Sequence, residues 1–234
     1  MILSDEIDRI ARAYRGYEED HAGRRWSLAN RGNRAALEER QGAIRSMLAA
    51  KGWLPLGSRS VLEVGTGSGA ELARLLELGA EPRRLAGVDL LADRVAAAKA
   101  AYPELDLRVA NAERLDFADG RFDLVLALTL FSSIKDQSMA HNVAAEIDRV
   151  LKPGGAVIWY DFRYDNPRNP NVTGMTEAKI RALFPRFTRM LRKVTLLPPM
   201  SRRLGPFTPA LYPALSLAPP LRTHLAGLLV KDAT

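Results

Sequence analysis

The segment Glu63-Val-Gly-Thr-Gly-Ser-Gly69 is the part of this 234-residue chain best suited to binding a ligand. It follows the short apolar run Ser60–Val64, and the residues after it, 70–78, have helical periodicity. Glycines suit a turn of this kind because the chain reverses tightly and its backbone N–H groups must approach a ligand with no Cβ in between. The pattern therefore predicts a strand, a ligand-binding turn and a helix.

The turn alone does not identify its ligand. Gly65, Gly67 and Ala70 also satisfy the pattern of dinucleotide-binding proteins, and Asp89, at the end of the next apolar run, can hold ribose hydroxyls in either class of protein. A nicotinamide cofactor is the less favoured alternative, because no Tyr-x-x-x-Lys pair follows the fourth predicted strand.

Further motifs follow the glycine turn in order along the chain. They are Gly87-Val-Asp89, Asn111-Ala112, Phe122-Asp-Leu-Val125 and Arg149-Val-Leu-Lys-Pro-Gly-Gly155. Together with the turn, these segments resemble the motifs of the class I S-adenosylmethionine-dependent methyltransferases over roughly residues 60–161. The resemblance implies a Rossmann-like fold, S-adenosyl-L-methionine as the cofactor, S-adenosyl-L-homocysteine as its product, and methyl transfer by in-line displacement.

The resemblance also implies a role for each residue of the cofactor site. Backbone N–H groups of the turn would meet the carboxylate of the cofactor, Glu63 its ammonium group and Asp89 its ribose hydroxyls. Asn111 stands where the family usually has Asp, and an amide oxygen accepts from the adenine amino group more weakly than a carboxylate does. The predicted cofactor-binding residues are Glu63, Gly65, Thr66, Gly67, Ser68, Gly69, Asp89, Leu90, Asn111, Ala112, Leu128 and Thr129.

The absence of certain residues from the sequence narrows the classes of molecule that could accept the methyl group. The stretch Ala127–Phe131 lacks the Asn/Asp-Pro-Pro-Tyr/Phe turn of enzymes that methylate exocyclic base amines, and the chain has no Cys for covalent pyrimidine methylation. Thr129 stands where metal-dependent catechol enzymes place a carboxylate. We therefore predict metal-independent transfer to an O or N atom of a small molecule of the sugar or secondary-metabolite type.

The acceptor is expected to lie against the polar run Trp159–Pro170 and the N-terminal segment, at the carboxyl edge of the sheet. Asp161 and His21 are candidate general bases, with a strand-end cap and a surface residue as the respective alternatives. The candidate substrate-binding residues are Tyr14, Tyr17, Trp26, Phe131, Arg163, Asn166 and Arg168. For Tyr14, Tyr17 and Trp26, packing of the N-terminal helices onto the sheet is an equal alternative.

The elements that must position these groups alternate between strand and helix. Predicted strands lie at about 60–64, 85–89, 107–110, 122–128, 156–161, 192–197 and 224–230, and predicted helices at about 4–13, 33–50, 70–78, 92–101, 139–151, 177–184 and 208–217. Residues 16–32 are predicted to form an irregular segment or lid. The alternation predicts an α/β, doubly wound, seven-stranded sheet, mostly parallel with one antiparallel edge strand.

We expect one domain with two parts. Residues 1–55 form a helical cap or lid, and residues 56–234 form the Rossmann-like unit, with acceptor-side insertions at about 162–185 and 198–222. The Pro-rich stretch 198–220 serves as an acceptor wall or a dimer contact.

The net charge of +7 is concentrated near the end of the chain, where residues 151–234 carry 13 basic and 4 acidic side chains. Two alternatives remain open: an RNA or nucleotide methyltransferase that uses this basic region, and a non-catalytic cofactor-binding regulatory subunit. A small molecule is the favoured partner over nucleic acid. The absence of a signal peptide and of a long apolar run predicts a cytoplasmic protein without a membrane span, as a monomer or homodimer.

Overall fold

The computed structural model of this protein describes residues 2–19 and 26–233. Two helices, α1 (Ile2–Glu19) and α2 (Arg31–Ala50), precede the sheet. The strands are β1 (Val61–Val64), β2 (Leu85–Asp89), β3 (Asp106–Val109), β4 (Phe122–Leu128), β5 (Leu151–Phe162), β6 (Phe187–Leu196) and β7 (Arg222–Lys231). The later helices are α3 (Ala70–Ala73), α4 (Ala92–Ala101), α5 (Gln137–Val150), α6 (Glu177–Leu183), α7 (Pro198–Ser201) and α8 (Thr208–Ser216).

The strands form one seven-stranded sheet in the order β3-β2-β1-β4-β5-β7-β6. Strands β1 to β5 pair in parallel, and β7 is antiparallel to both β5 and β6. The predicted fold class is confirmed, with the antiparallel strand lying one position inside the edge. Because β1 pairs with β2 on one side and with β4 on the other, the order of the strands reverses there, and open α/β sheets bind ligands at such a point.

Helices cover both faces of the sheet. Val125 of β4 packs in one apolar cluster with Val143 and Ile147 of α5, whereas Leu126, the next residue along β4, packs in a second cluster with Leu48 of α2. Successive side chains of a strand point to opposite faces, so a strand buried on both faces must be apolar almost throughout. This is why β4 could be recognised as a near-continuous apolar run.

Four elements differ by several residues from their predicted bounds. Strand β6, predicted to begin at about residue 192, begins at Phe187. Helix α1 continues to Glu19 because Tyr14 and Tyr17 extend the helical spacing of Ile7 and Ile10. The helix predicted at 70–78 is a four-residue α-helix followed by a 3₁₀ helix, Arg74–Leu78. Strand β5 begins at Leu151 because Phe122 pairs with Leu151 and Leu124 with Ala156, so the intervening Pro-Gly-Gly turn is taken up as an irregularity in the ladder.

Among the described residues, no helix combines the length and the apolar character needed to cross a membrane.

The packing of α2 against α7 predicts opposite effects for two glycine substitutions in one helix. A Cβ at Gly32 would lie 2.1 Å from the backbone oxygen of Ser201, whereas a Cβ at Gly42 meets nothing within 4 Å. Gly42→Ala should stabilise the protein by about 0.5–1 kcal/mol through helix propensity, and Gly32→Ala should destabilise it by about 1–3 kcal/mol through overpacking. Urea unfolding followed by circular dichroism measures both. Equal stability of the two variants would contradict the close contact at Gly32.

Candidate functional site

The glycine turn between β1 and α3 lies at the point where the strand order reverses. Gly65, Gly67 and Gly69 have φ angles of 77°, 53° and 75°, a region that side chains with a Cβ rarely adopt. The N–H groups of Gly65 and Thr66 donate to the Val88 carbonyl at 2.8 and 2.9 Å. The turn is therefore fixed to the end of β2.

The carboxylate of Asp89 at the end of β2 is held by two backbone donors. The Gly67 N–H donates to Oδ2 at 2.8 Å and the Leu91 N–H donates to Oδ1 at 3.0 Å. Each carboxylate oxygen has about two acceptor positions, so each retains one for a ligand. Two acceptors fixed side by side suit the vicinal hydroxyls of a ribose.

Arg94 belongs to the same cluster and was missed by the sequence analysis. Its guanidinium Nη1 lies 3.9 Å from Asp89 Oδ2, and its Cζ lies 4.8 Å from the centre of the Tyr14 ring. A Cβ on Gly67, whose φ is positive, would come within 2.6 Å of Arg94 Nη2, so a larger residue would strain the turn and displace the guanidinium. The signal in the sequence was the position of Arg94, on the first turn of a helix that begins three residues after Asp89.

Glu63 is buried on the face of the sheet that α2 covers. Its Oε2 accepts a hydrogen bond of 2.8 Å from the Thr66 hydroxyl. Burial raises the pKa of Glu63 to about 8, and the nearby Glu71 carboxylate acts in the same direction, while the Thr66 hydroxyl and the Arg40 cation act against them. Arg40 itself forms an ion pair with Glu71. Desolvation therefore outweighs these contacts, and a pKa of about 8 favours the protonated form of Glu63 at neutral pH.

The other predicted cofactor residues lie in the glycine turn or follow β2, β3 and β4 at the carboxyl edge of the sheet. Leu90 and Ala112 pack against the apolar core, and Leu128 is largely buried. The side chain of Asn111 is engaged by Glu113, whose N–H donates to Oδ1 at 3.0 Å and whose carboxylate accepts from Nδ2 at 3.1 Å. Thr129 has a φ of 53°, and Ser68 is exposed in the turn. The sheet therefore brings all these positions to one edge.

Asp161, a candidate general base, is fully buried at the end of β5. Its Oδ2 accepts from the Ser132 N–H at 2.9 Å and its Oδ1 from the Phe162 N–H at 2.8 Å. Burial raises its pKa to about 6, against the effect of these donors. This placement corresponds to the strand-end cap considered as the alternative, and a role as base stays a prediction. His21, the other candidate, lies outside the described residues.

Helix α1 is fastened to the loops that follow β4 and β5. The Tyr14 hydroxyl lies 3.2 Å from Ser133 Oγ, and the Tyr17 hydroxyl donates to Asn169 Oδ1 at 3.1 Å. The carboxylate of Glu6 accepts from the Lys135 N–H at 2.6 Å. Two of the predicted substrate-binding residues, Tyr14 and Tyr17, therefore lie at the edge of the sheet that carries the glycine turn.

Two other aromatic candidates lie elsewhere. Phe131 is buried and stacks on Trp159 at 5.0 Å between ring centroids, so its ring faces the core rather than the edge. Trp26 is 53% exposed and its ring lies 5.1 Å from the Arg202 guanidinium.

The polar candidates lie on the loop after β5. Arg163 donates to the carbonyl groups of Pro219 and Arg222, at 3.1 and 3.3 Å. Asn166 and Arg168 are exposed, and the Asn166 Oδ1 accepts from the Arg168 N–H at 3.1 Å. Arg163 therefore bridges to the chain before β7, and the other two face solvent.

Comparison with known proteins identifies the central part of the chain. Residues 62–159 match the family model described as a methyltransferase domain. A demethylmenaquinone methyltransferase of Chlorobaculum parvum is 29% identical over 58% of this chain and 53% of that protein. A ubiquinone/menaquinone biosynthesis C-methyltransferase of Desulfotalea psychrophila is 33% identical over 50% of this chain and 46% of that protein. This chain spans about half the length of these relatives.

One further relative and one solved structure match more of the chain. A phosphatidylethanolamine N-methyltransferase of Cereibacter sphaeroides is 27% identical over 65% of this chain and 68% of that protein. The crystal structure of an S-adenosylmethionine-dependent methyltransferase from Mesorhizobium loti superimposes with a TM-score of 0.61, at 17% identity, over 81% of this chain and 96% of the other. At that identity the likeness concerns the fold alone.

The raised pKa of Glu63 predicts how Glu63→Gln changes the pH dependence of stability. The folded protein keeps a proton on Glu63 up to about pH 8, whereas the ordinary pKa is 4.5. The wild-type protein therefore loses stability from this group as the pH rises from about 4.5 to about 8, because only the unfolded chain gives up the proton freely. The variant should exceed wild type by roughly 2–4 kcal/mol at the upper end of this range.

Urea unfolding at a series of pH values measures this effect. The advantage of Glu63→Gln over wild type should shrink as the pH falls towards 4.5. The exposed Glu77→Gln variant serves as a control and should keep a constant difference from wild type. A pH-independent effect of Glu63→Gln would show that Glu63 is ionised in the folded protein.

Proposed function

We propose that this protein, whose residues 62–159 match the family model described as a methyltransferase domain, uses S-adenosylmethionine to transfer a methyl group to an O or N atom of a small-molecule acceptor. The observation that carries the proposal is the Asp89 carboxylate, held by the N–H groups of Gly67 and Leu91 beside a turn of three positive-φ glycines. This arrangement offers backbone donors and a fixed pair of acceptors within one short segment.

S-adenosylmethionine supplies a methyl group already activated on a sulfonium, so the protein's task is to bind, to orient and to exclude water. Asp89 would hold the ribose hydroxyls, and the N–H groups of the glycine turn would face the amino-acid carboxylate. Glu63 would take the ammonium group of the cofactor. A cation beside this buried carboxyl favours its charged form, so binding would draw the proton off Glu63.

The acceptor would be held on the carboxyl edge, between α1 and the loop that follows β5. Tyr14 and Tyr17 tie α1 to this edge through Ser133 and Asn169, which supports the proposal that residues 1–55 form a cap over the site. Fixing two reactants in line contributes up to about 7–11 kcal/mol to such a reaction in ideal cases. We therefore propose that the reaction does not use a metal ion. We also propose that the protein acts in the cytoplasm.

A carbon acceptor is the second candidate, because one relative is named as a C-methyltransferase and is 33% identical to this chain over the matched region. The name of another relative specifies an N-methyl product. The atom methylated is therefore what a turnover experiment must decide.

Substitution of Asp89 tests the cofactor site. Asp89→Ala removes two acceptors for ribose hydroxyls, and each hydrogen bond to a charged group contributes about 1.5–3 kcal/mol. The dissociation constant for S-adenosylhomocysteine should therefore rise at least about tenfold by isothermal titration calorimetry. Asp93→Ala, which removes an exposed carboxylate on the first turn of α4, is the matched control and should bind as wild type does.

Because Asp89 also positions the glycine turn, a circular dichroism melt must accompany each titration, and Asp89→Asn, which keeps the shape of the side chain, provides a second variant. Failure of the folded wild-type protein to bind S-adenosylhomocysteine would refute the cofactor assignment. Equal affinity of wild type and both Asp89 variants would refute the role of this carboxylate.

Transfer of a labelled methyl group tests the acceptor. Wild-type protein should label small molecules that carry hydroxyl or amine groups, and mass spectrometry of the product identifies the atom. Labelling of RNA that falls steeply with added salt would instead favour the basic C-terminal region as a nucleic-acid surface. Tight binding of S-adenosylhomocysteine with no turnover on any acceptor class would favour a non-catalytic, cofactor-binding role.

A further inference from the structure

The chain from residue 204 to residue 221 contains no charged side chain, and arginines stand on both sides of it, Arg202 and Arg203 before it and Arg222 after it. We call residues 204–221 the uncharged segment. It folds as the helix α8 between two short 3₁₀ helices, Gly205–Phe207 and Pro219–Leu221.

The uncharged segment buries its polar side chains and exposes its apolar ones, which is the inverse of an ordinary surface helix. Thr208, Tyr212 and Ser216, spaced four residues apart, face inward and are buried. The exposed residues of the segment are instead apolar: Pro206, Phe207, Pro209, Ala210, Leu211, Pro213, Ala214, Leu217, Pro219 and Pro220. Phe207 is 67% exposed, Leu211 42% and Leu217 82%. An apolar surface of this kind marks an interaction site.

Polar contacts hold the helix in this inverted orientation. The Tyr212 hydroxyl donates to Glu39 Oε2 at 2.9 Å, and Glu39 Oε1 accepts from Arg222 Nη1 at 2.7 Å. The Thr208 hydroxyl donates to the Gly205 carbonyl at 2.8 Å. Turning the helix over to bury Phe207 and Leu211 would break the hydrogen bond between the Tyr212 hydroxyl and Glu39.

Cationic and aromatic side chains border the apolar face. Arg203 is exposed next to the segment, and the exposed Trp26 ring lies 5.1 Å from the Arg202 guanidinium. Arg31 and Arg34, both exposed on α2, line a cavity of about 710 Å³ together with Pro209 and Pro213 of α8. Glu38 and Glu39 also line this cavity, and Glu39 is paired with Arg222. An apolar centre with a cationic and aromatic rim is the pattern of a surface that binds the headgroup region of an anionic bilayer.

We propose that the exposed face of the uncharged segment docks on the surface of an anionic lipid bilayer. Phe207, Leu211 and Leu217 enter the boundary between headgroups and acyl chains, and the bordering arginines meet the lipid phosphates. Pairing of this face with a second copy of the chain would bring two sets of arginines together, so charge complementarity favours the lipid. The proposal does not depend on the methyl transfer proposed above.

Sedimentation of the full chain with lipid vesicles tests this proposal. The protein should bind vesicles of equal parts phosphatidylglycerol and phosphatidylcholine, bind vesicles of phosphatidylcholine more weakly, and lose affinity as salt is added. The double variant Phe207→Ser, Leu211→Ser should lower the partition coefficient at least about tenfold. Met190→Ser, which removes a 56% exposed apolar side chain from β6, is the matched control and should partition as wild type does.

Three outcomes overturn the proposal. The first is that the wild-type protein does not bind anionic vesicles. The second is that Met190→Ser lowers the partition coefficient as much as the double variant does. The third is that the wild-type protein does not bind vesicles but forms a dimer, seen by light scattering, which the double variant alone converts to a monomer. The last would assign the face to a second copy of the chain. Titration of each variant with S-adenosylhomocysteine shows that the fold is retained, and it separates failure of this proposal from failure of the cofactor site.

Discussion

The hydrogen bonds from the Gly67 and Leu91 backbones to the Asp89 carboxylate are the contacts on which the candidate site depends. They join the turn after β1 to the end of β2, and both segments must be in register before a ligand meets either. The arrangement uses a left-handed backbone at Gly67, where a Cβ would also displace the end of the Arg94 side chain. Arg94 then contacts the Tyr14 ring, so α1 is coupled to the same carboxylate.

Two buried carboxyl groups at the carboxyl edge, Asp161 and Glu63, have different hydrogen-bond partners. This difference indicates the role that each can have. Asp161 receives two backbone N–H groups and ties the chain after β4 to β5. Glu63 receives the Thr66 hydroxyl and the backbone N–H of Leu72, and the nearby Arg40 cation is paired with Glu71. Desolvation raises the pKa of both, to about 6 and about 8. Glu63, which has no ion-pair partner among the described residues, is suited to bind the ammonium group of a ligand. Asp161, which accepts from two backbone N–H groups, is suited to link two segments of the chain.

The strands, the glycine turn and the place of Asp89 could be predicted because each leaves a local signal: an apolar run, positive-φ residues, or a position at the end of a strand. Phe131 and Asp161 could not be placed in the same way. Phe131 follows β4 and Asp161 is the last but one residue of β5. The direction of a side chain there is decided by what packs behind it, and the Phe131 ring stacks on Trp159 in the core. The ion pairs around Glu63 depend on α2, more than twenty residues earlier in the sequence.

The inverted helix α8 is anchored through one partly buried carboxylate, Glu39, which accepts hydrogen bonds from three elements. Glu39 of α2 accepts from the Tyr212 hydroxyl, from Arg222 and from the N–H of Thr195 in β6. Thr195 has a φ of 64°, a conformation that costs a β-branched residue about 1–3 kcal/mol. Its hydroxyl lies 2.8 Å from that of Tyr160, so hydrogen bonds offset the strain. A strained residue and a shared carboxylate fix the helix with its apolar side outward, which argues that the exposed face is built to meet a partner.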